Sequence, residues 1–124
     1  MVKNMGKLFG TSGIRGVFGE NLDLIFAINF GYALSTLRPR TVFIGRDCRS
    51  SSQVLAYSLA SSLASCNITV GLTDVVTTPS LQAYMRYTDI YDYGVMITAS
   101  HNPPQYNGFK VFDNHGLEIY RDLE

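Results

Sequence analysis

The chain has 124 residues, of which 46% are hydrophobic and 16% are charged, against about 25% charged residues in a typical globular protein. This composition excludes intrinsic disorder, which requires low hydrophobicity and high net charge, and predicts a single domain over residues 1–124. Ten basic and ten acidic residues cancel, so we expect no nucleic-acid partner, because such a protein needs a cationic surface.

The predicted elements begin with a glycine-rich segment, residues 6–19, after which helices alternate with short apolar strands. Pro39 ends the first helix, and the capping-box spacing from Ser50 to Gln53 begins the second. In chain order we predict a helix (22–37), a strand (41–44), a helix (50–65), a strand (68–72), a helix (78–87) and two strands (93–97 and 109–112).

Strands that alternate with helices predict a parallel sheet, because each helix crosses back over the sheet to start the next strand. The link between the last two strands contains Pro-Pro and Asn-Gly and has no helical pattern, so we expect the last strand to be antiparallel. The predicted fold is therefore α/β, a three-layer α/β/α arrangement around a mixed, mostly parallel four-stranded sheet. Ligands of such sheets gather at the carboxyl ends of the parallel strands.

Two features bear on the compartment. The two cysteines, Cys48 and Cys66, have no metal or redox spacing and are interpreted as reduced thiols. The uncharged stretch 50–73 is long enough to span a membrane, but it contains seven serines. Because the N-terminus also lacks the apolar run of a signal peptide, we predict a cytoplasmic protein with no membrane partner.

The segment 9–16, Phe-Gly-Thr-Ser-Gly-Ile-Arg-Gly, surrounds two hydroxyls and an arginine with glycines. Glycines let backbone N–H groups approach an anion, and Thr11, Ser12 and Arg15 add donors suited to phosphate. The spacing matches neither a P-loop nor the dinucleotide-binding fingerprint. The alternative interpretation is a glycine-rich turn with an exposed arginine.

The segment 45–50, Gly-Arg-Asp-Cys-Arg-Ser, joins a strand to a helix. One interpretation is a basic loop that faces a phosphate. The favoured one is an Arg–Asp pair that ties the loop to the helix, because Asp47 would repel an anion.

The segment 98–104, Thr-Ala-Ser-His-Asn-Pro-Pro, follows a buried strand directly, and its prolines predict a stiff loop that holds the Ser100 hydroxyl in place. A serine hydrolase is disfavoured, because Ser100 and His101 are adjacent residues that point apart in an extended segment, and no G-x-S-x-G motif surrounds the serine.

Lys110 lies on the strand that follows this loop, and taken alone it would be interpreted as a solvated side chain. His115 lies in an ordinary turn and receives no role, and no complete metal site can be built from the sequence.

Together, and in this order, three segments resemble the first domain of the α-D-phosphohexomutases, the family of phosphomannomutase and phosphoglucomutase. They are Phe-Gly-Thr-Ser-Gly-Ile-Arg-Gly at 9–16, Gly-Arg-Asp-x-Arg at 45–49 and Thr-Ala-Ser-His-Asn-Pro-Pro-x-Tyr-Asn-Gly-Phe-Lys at 98–110. The last is highly specific, and the resemblance covers nearly the whole chain. Within the family, the sequence of these motifs looks most like the prokaryotic phosphomannomutase/phosphoglucomutase type, and phosphoglucosamine mutase is a close relative of that type.

The resemblance implies an isomerase of carbohydrate metabolism in which Ser100 carries a phosphoryl group and Mg²⁺ bridges this phosphate to three aspartates. The phosphoryl group passes to a hexose phosphate, and the resulting bisphosphate returns its other phosphate to the serine. The catalytic residues implied in this way are Ser100, Arg15, His101 and Lys110. The implied phosphate-binding residues are Thr11, Ser12 and Asn102, and Ser100 is the metal contact through its phosphate.

Family members have four domains, and the aspartate loop, the sugar-selecting loop and the phosphate-clamping loop lie in the later ones. None of these loops is in the 124 residues. We therefore expect an N-terminal domain that needs the C-terminal domains of the same enzyme as partners and is inactive by itself. The alternative is a stand-alone, non-catalytic module that binds phosphosugars or a partner. An open reading frame that continues past Glu124 into an Asp-x-Asp-x-Asp loop would support the first.

Two helices carry patterns that suggest surfaces made to be covered. The first, residues 22–37, has apolar residues on more sides than one sheet face can bury, and the second has a face of uncharged serines between residues 52 and 65. We predict that the chain self-associates, mainly through the first helix.

Overall fold

A computed structural model describes residues 13–119, which form one sheet and three helices. In chain order the elements are β1 (Ile14–Val17), α1 (Leu24–Ser35), β2 (Thr41–Arg46), α2 (Ser50–Ser65), β3 (Thr69–Val75), α3 (Thr78–Thr88), β4 (Tyr93–Ile97), β5 (Tyr106–Phe112) and β6 (Glu118–Ile119). The predicted alternation of helices and strands is thus confirmed, with bounds that differ by a few residues.

The sheet is mixed, and its strand order is β1-β5-β4-β2-β3. Strands β3, β2 and β4 are parallel, whereas β5 runs antiparallel to β4, as the link between them predicted. β1 and β6 both pair antiparallel with β5, β1 along residues 106–109 and β6 along residues 111–112.

Successive strand residues point to opposite sides of the sheet, so both of its faces carry apolar side chains. Helices cover both faces. Val42 and Ile44 of β2 point to the side of α1 and α2, where the larger core contains Phe30, Leu59 and Phe109. On the other side α3 covers a smaller cluster formed by Leu81, Met85, Met96 and Phe112. The three-layer α/β/α prediction is confirmed.

The predicted number of strands was wrong, because the described residues form six strands rather than four. β1 lies in the glycine-rich segment 6–19, where no strand is predicted, and its four residues include a glycine, which has little intrinsic strand propensity. It becomes a strand because β5, about 90 residues further along the chain, offers it a row of hydrogen-bonding groups. β6 is only two residues long and has no sequence pattern to reveal it.

The predicted capping box at the start of α2 was also wrong. Arg49 occupies the N-cap position, with no hydrogen bond from its side chain to the helix. The start of the helix is tied instead by Ser52, whose hydroxyl donates to Asp47 in the preceding turn.

Within the part of the chain that the structure describes, none of the helices has the length and apolar character to cross a membrane.

Candidate active site

The candidate site lies where the parallel strands β2 and β4 end side by side. Arg46 of β2 pairs with Ile97 of β4, so Asp47 and Thr98 leave the sheet at the same edge. Residues 98–105, which we call the Ser100 loop, then cross this edge and enter β5. A cleft of about 550 Å³ opens between the Ser100 loop and the turn that precedes α2.

Ser100 is exposed at the tip of this edge, and two cations face its hydroxyl. Arg15 Nη2 lies 3.3 Å from Ser100 Oγ, and Lys110 Nζ lies 3.5 Å from the same atom. The backbone of Ser100 has a φ of +56°, a left-handed conformation that costs a residue with a Cβ about 1–2 kcal/mol. Such strain persists only where the surroundings enforce it, and it is common at functional sites.

Arg15 and Lys110 reach Ser100 because β1 pairs with β5. Arg15 lies opposite Gly108, so Lys110, two residues further on, is its diagonal neighbour on the same face of the sheet. Gly108 is required here, since a Cβ at this position would collide with the carbonyl oxygen of Ile14. Gly13, with a φ of +84°, brings the chain close to β5 in the same way, and a Cβ there would meet the carbonyl oxygen of Phe109.

Asp47 is the polar centre of the edge. Its carboxylate accepts hydrogen bonds from the hydroxyl of Ser52, from Thr98 Oγ1 at 2.7 Å, and from the backbone N–H and Nε of Arg49 at 3.1 and 3.0 Å. Burial alone would raise the pKa of Asp47, but these hydrogen bonds from Ser52, Thr98 and Arg49 outweigh it and hold the pKa below its ordinary value. Asp47 therefore stays ionised, and both of its carboxylate oxygens accept hydrogen bonds from these neighbours.

Arg49 ties the turn before α2 to the Ser100 loop. Its terminal nitrogens donate to four backbone carbonyl oxygens at 2.7–3.3 Å, those of Ser100, Asn102, Pro103 and Tyr106. Its Nε donates to Asp47. This arrangement agrees with the favoured interpretation of the segment 45–50, in which an Arg–Asp pair ties down the loop, rather than with a loop that faces a phosphate.

The other predicted site residues are less engaged. His101 is exposed, and among residues 13–119 its side chain has no hydrogen bond or ion pair. Asn102 takes part through its backbone, since its N–H donates to Ala99 and its carbonyl accepts from Arg49. Thr11 and Ser12 lie outside the described residues. The roles assigned to these residues remain predictions.

Sequence reasoning missed a buried polar network beneath the loop. The side-chain amide of Asn107 donates to Ser51 and Ser52 at 2.7 and 2.9 Å, and Ser52 in turn donates to Asp47. Thr98 also belongs to it, because its hydroxyl bonds to both Asp47 and the backbone N–H of Ser100. The sequence did contain a signal for this network. Ser51, Ser52 and Asn107 are polar residues at the starts of a helix and a strand whose other residues are largely apolar.

The fit to Mg²⁺ can be tested on the donors at this edge. Residues 13–119 contain no group of three or more acidic, His or Cys side chains placed to hold a metal ion. Asp47 is the carboxylate beside Ser100, and its oxygens are engaged by Ser52, Thr98 and Arg49. The described residues therefore do not fit Mg²⁺ by themselves.

Comparison with known proteins identifies the domain. The family profile described as "Phosphoglucomutase/phosphomannomutase, alpha/beta/alpha domain I" matches residues 6–124. The chain belongs to the phosphoglucomutase/phosphomannomutase family. The resemblance inferred from the three motifs is thereby confirmed, and the part matched is the first domain of the family.

Individual family members agree with this assignment. A phosphoglucosamine mutase from Caldicellulosiruptor bescii is 39% identical over 97% of this chain and 28% of its own length. A phosphopentomutase from Thermococcus kodakarensis is 42% identical over 95% of this chain and 26% of its own length. A crystal structure of a phosphoglucomutase/phosphomannomutase family protein from Burkholderia thailandensis superimposes with a TM-score of 0.79 at 32% identity, covering 94% of this chain and 28% of that one. The chain thus spans about a quarter of the length of the curated relatives it matches.

Proposed function

We propose that this chain is the phosphoserine-bearing domain of a phosphohexomutase, in which Ser100 Oγ passes a phosphoryl group to a hexose phosphate and receives one back. The observation that carries the proposal is the approach of Arg15 Nη2 and Lys110 Nζ to within 3.3 and 3.5 Å of an exposed serine hydroxyl. Phosphoryl transfer depends on positioning and on neutralising the charge of the phosphate oxygens, and two cations beside one hydroxyl supply both.

Arg15 and Arg49, the two arginines that donate to Ser100, differ in the donors they have left, because all five N–H groups of Arg49 have acceptors in the protein. Among the described residues, Arg15 donates to Ser100, and its buried Nε has no acceptor. Within residues 13–119 no other side-chain hydrogen bond engages the Arg15 Nη groups, so their remaining N–H groups are open to an anion, and a planar guanidinium suits phosphate oxygens. Lys110 adds a compact positive charge on the same face of the sheet.

The proposed reaction consists of two transfers in opposite directions. In the first, the bond between phosphorus and Ser100 Oγ breaks, a bond between phosphorus and a sugar hydroxyl oxygen forms, and the proton of that hydroxyl passes to Ser100 Oγ. The second transfer reverses these changes at the other phosphate of the bisphosphate, so the serine ends phosphorylated again. His101 is the exposed imidazole next to the serine, where it can exchange this proton or bind the bisphosphate.

Mg²⁺, which the resemblance implies, would be held by this chain only through the phosphate on Ser100, where it would neutralise charge on the phosphate oxygens. The carboxylates that would complete its coordination are not found among residues 13–119. We expect the choice among mannose, glucose, glucosamine and pentose phosphates to be made by the sugar-selecting loop, which the resemblance places in a later domain. We therefore expect no mutase turnover from this chain by itself.

The test is a chimera in which this chain replaces the matching segment of the phosphoglucosamine mutase from Caldicellulosiruptor bescii. We expect mutase activity from the chimera, phosphate on the peptide that contains Ser100 by mass spectrometry, and loss of both in Ser100→Ala. The isolated chain, assayed beside it, should be inactive.

The control is Ser80→Ala, which removes a hydroxyl from the first turn of α3, on an element outside the site. It should leave phosphorylation and turnover unchanged. Phosphate on Thr11 or Ser12 in an active chimera, with Ser100 unmodified, would contradict the choice of acceptor.

A further inference from the structure

Arg49 has no donor left for a ligand. A guanidinium carries five N–H groups, and in this chain all five have protein acceptors. They are one oxygen of Asp47 and four backbone carbonyls, of which that of Ser100 lies 2.9 Å from Nη2. Arg49 therefore cannot act on a phosphate directly, although it lies beside the residue proposed to carry one.

The same contacts hold the peptide groups on both sides of the Ser100 Cα. The carbonyl of Ser100 accepts from Arg49, and its N–H donates to Thr98 Oγ1 at 3.1 Å. Arg49 and Thr98 in turn both donate to Asp47, at 3.0 and 2.7 Å. Two chains of hydrogen bonds thus start at the Asp47 carboxylate, one through Arg49 and one through Thr98, and both end on the backbone of Ser100.

Ser100 needs such an anchor because its φ of +56° is one that residues with a Cβ rarely adopt. In this conformation Ser100 Oγ points to Arg15 and Lys110. A relaxed backbone at Ser100 would turn the hydroxyl away from one or both cations, since the Cα–Cβ bond moves with φ.

We propose that Asp47 and Arg49 form a positioning pair, which holds Ser100 in its left-handed conformation so that a phosphate on Oγ lies between Arg15 and Lys110. The inference rests on the proposed function only in taking phosphate as the group on Ser100. Arg49 acts through the backbone and Asp47 through Arg49 and Thr98, so neither residue touches the phosphate.

The test places phosphoserine at position 100 of this chain during translation, by an expanded genetic code, and titrates the phosphate by ³¹P NMR. Two nearby cations favour the dianion, so we expect the second pKa of this phosphate to lie below that of a phosphoserine peptide, about 6. In Arg49→Lys the charge is kept, but an ammonium has three donors and no fork. We expect the pKa of the phosphate to rise towards the peptide value by about 0.5 unit or more.

Arg46→Lys is the matched control. Arg46 lies three residues from Arg49, and its side chain pairs with the exposed Asp74 and donates to the carbonyl of Asp47, with no hydrogen bond or ion pair to the Ser100 loop. This variant should titrate as the wild-type chain does. A structural role alone would lower the stability of Arg49→Lys without moving the pKa of the phosphate in the folded protein, so thermal unfolding is measured alongside.

A second pair of variants decides the matter if Arg49→Lys does not fold. Thr98→Val removes the hydroxyl that joins Asp47 to the Ser100 N–H and keeps the shape, whereas Thr98→Ser keeps the hydroxyl. The pKa of the phosphate should rise in the first and stay unchanged in the second. An unchanged pKa in folded Arg49→Lys, an unchanged pKa in Thr98→Val, or a wild-type pKa equal to that of the peptide would overturn the inference. Because the phosphate is placed by translation, none of these results depends on whether the enzyme phosphorylates Ser100, which the chimera tests separately.

Discussion

At the scale of single residues, Asp47 is an ionised carboxylate at the centre of several hydrogen bonds. Its oxygens accept from Ser52, Thr98 and Arg49, and these contacts join the turn before α2 to the end of β4. A neutral amide at this position keeps the size of the side chain but loses the charge and offers only one acceptor oxygen. The hydrogen bonds lost would be charge-assisted ones, which are about twice as strong as neutral bonds.

We predict that Asp47→Asn lowers the free energy of unfolding at pH 7 by about 1–3 kcal/mol. The pKa of Asp47 is lowered in the folded chain, so its stabilising contribution is complete above the unfolded-state pKa of about 4 and disappears as the pH falls through the lower, folded-state pKa. The gap between wild type and variant in urea unfolding should therefore narrow as the pH falls below about 4.

Asp74→Asn is the control for this prediction. Asp74 is 95% exposed and contacts Arg46 at 3.7 Å, so its loss should cost about 0–1 kcal/mol. Equal losses in the two variants, or a gap for Asp47→Asn that stays constant down to pH 2, would contradict the role given to the buried carboxylate.

At the scale of the elements, the close approach of α1 and α2 accounts for part of the serine face predicted on the second helix. Gly31 lies in the middle of α1, and a Cβ there would collide with Ser62 Oγ and lie 3.0 Å from Ser62 Cβ. Ser62 is buried, and its hydroxyl donates to the carbonyl of Leu59. A small polar side chain at this position is thus explained by helix packing within the domain, whereas Ser61 and Ser65 remain exposed.

We predict that Gly31→Ala destabilises the chain, even though alanine is favoured over glycine in a helix by about 1 kcal/mol. The reason is that forcing a methyl group into a packed contact costs about 1–3 kcal/mol. After the helix preference for alanine is subtracted, the net loss should be up to about 2 kcal/mol. Urea unfolding measures it. Ser62→Ala in the Gly31→Ala background should recover part of the loss, because it removes the oxygen that collides, and a double-mutant cycle gives the coupling. A Gly31→Ala variant as stable as the wild type would show that the helices move apart at little cost.

At the scale of the whole molecule, the first helix keeps an apolar surface that the sheet does not cover. Leu24, Ile25 and Tyr32 of α1 are all exposed, while Phe26 and Phe30 on the same helix are buried in the core. This distribution matches the pattern noted in the sequence, in which apolar residues occur on more sides than one sheet face can bury. Clusters of exposed apolar side chains of this kind mark surfaces that bind other surfaces.

We predict that the chain self-associates reversibly through α1. Size exclusion with light scattering over a concentration series should show the mass rising towards that of a dimer, and Ile25→Lys should shift the rise to higher concentration. Ile90→Lys is the matched control, because Ile90 is exposed to a similar extent, 62% against 64%, but lies after α3. A monomer at every accessible concentration, or equal effects of the two substitutions, would contradict this prediction.

The short-range pattern of the chain was enough to predict most of the fold. The apolar runs at 41–44 and 93–97 became the central parallel strands β2 and β4, because a continuous apolar stretch between turn residues can be satisfied in few other ways. The prolines and Asn-Gly after β4 predicted the antiparallel return of β5. Ser100 was placed correctly at the carboxyl edge of the sheet, since that position follows from the strand before it and the stiff loop after it.

Contacts between distant segments required the tertiary structure. Arg15 and Lys110 are far apart in the chain, and they meet at Ser100 because β1, a strand that its own residues do not predict, adds to the edge of β5. Likewise, the sequence indicates only that Arg49 is a basic residue in a turn. Four of its five hydrogen-bond acceptors belong to residues about 50 positions further along the chain. Residue types and their spacing determine local conformation and which side chains are polar. Which acceptor a polar side chain reaches is decided by the packing that brings the strands and turns together.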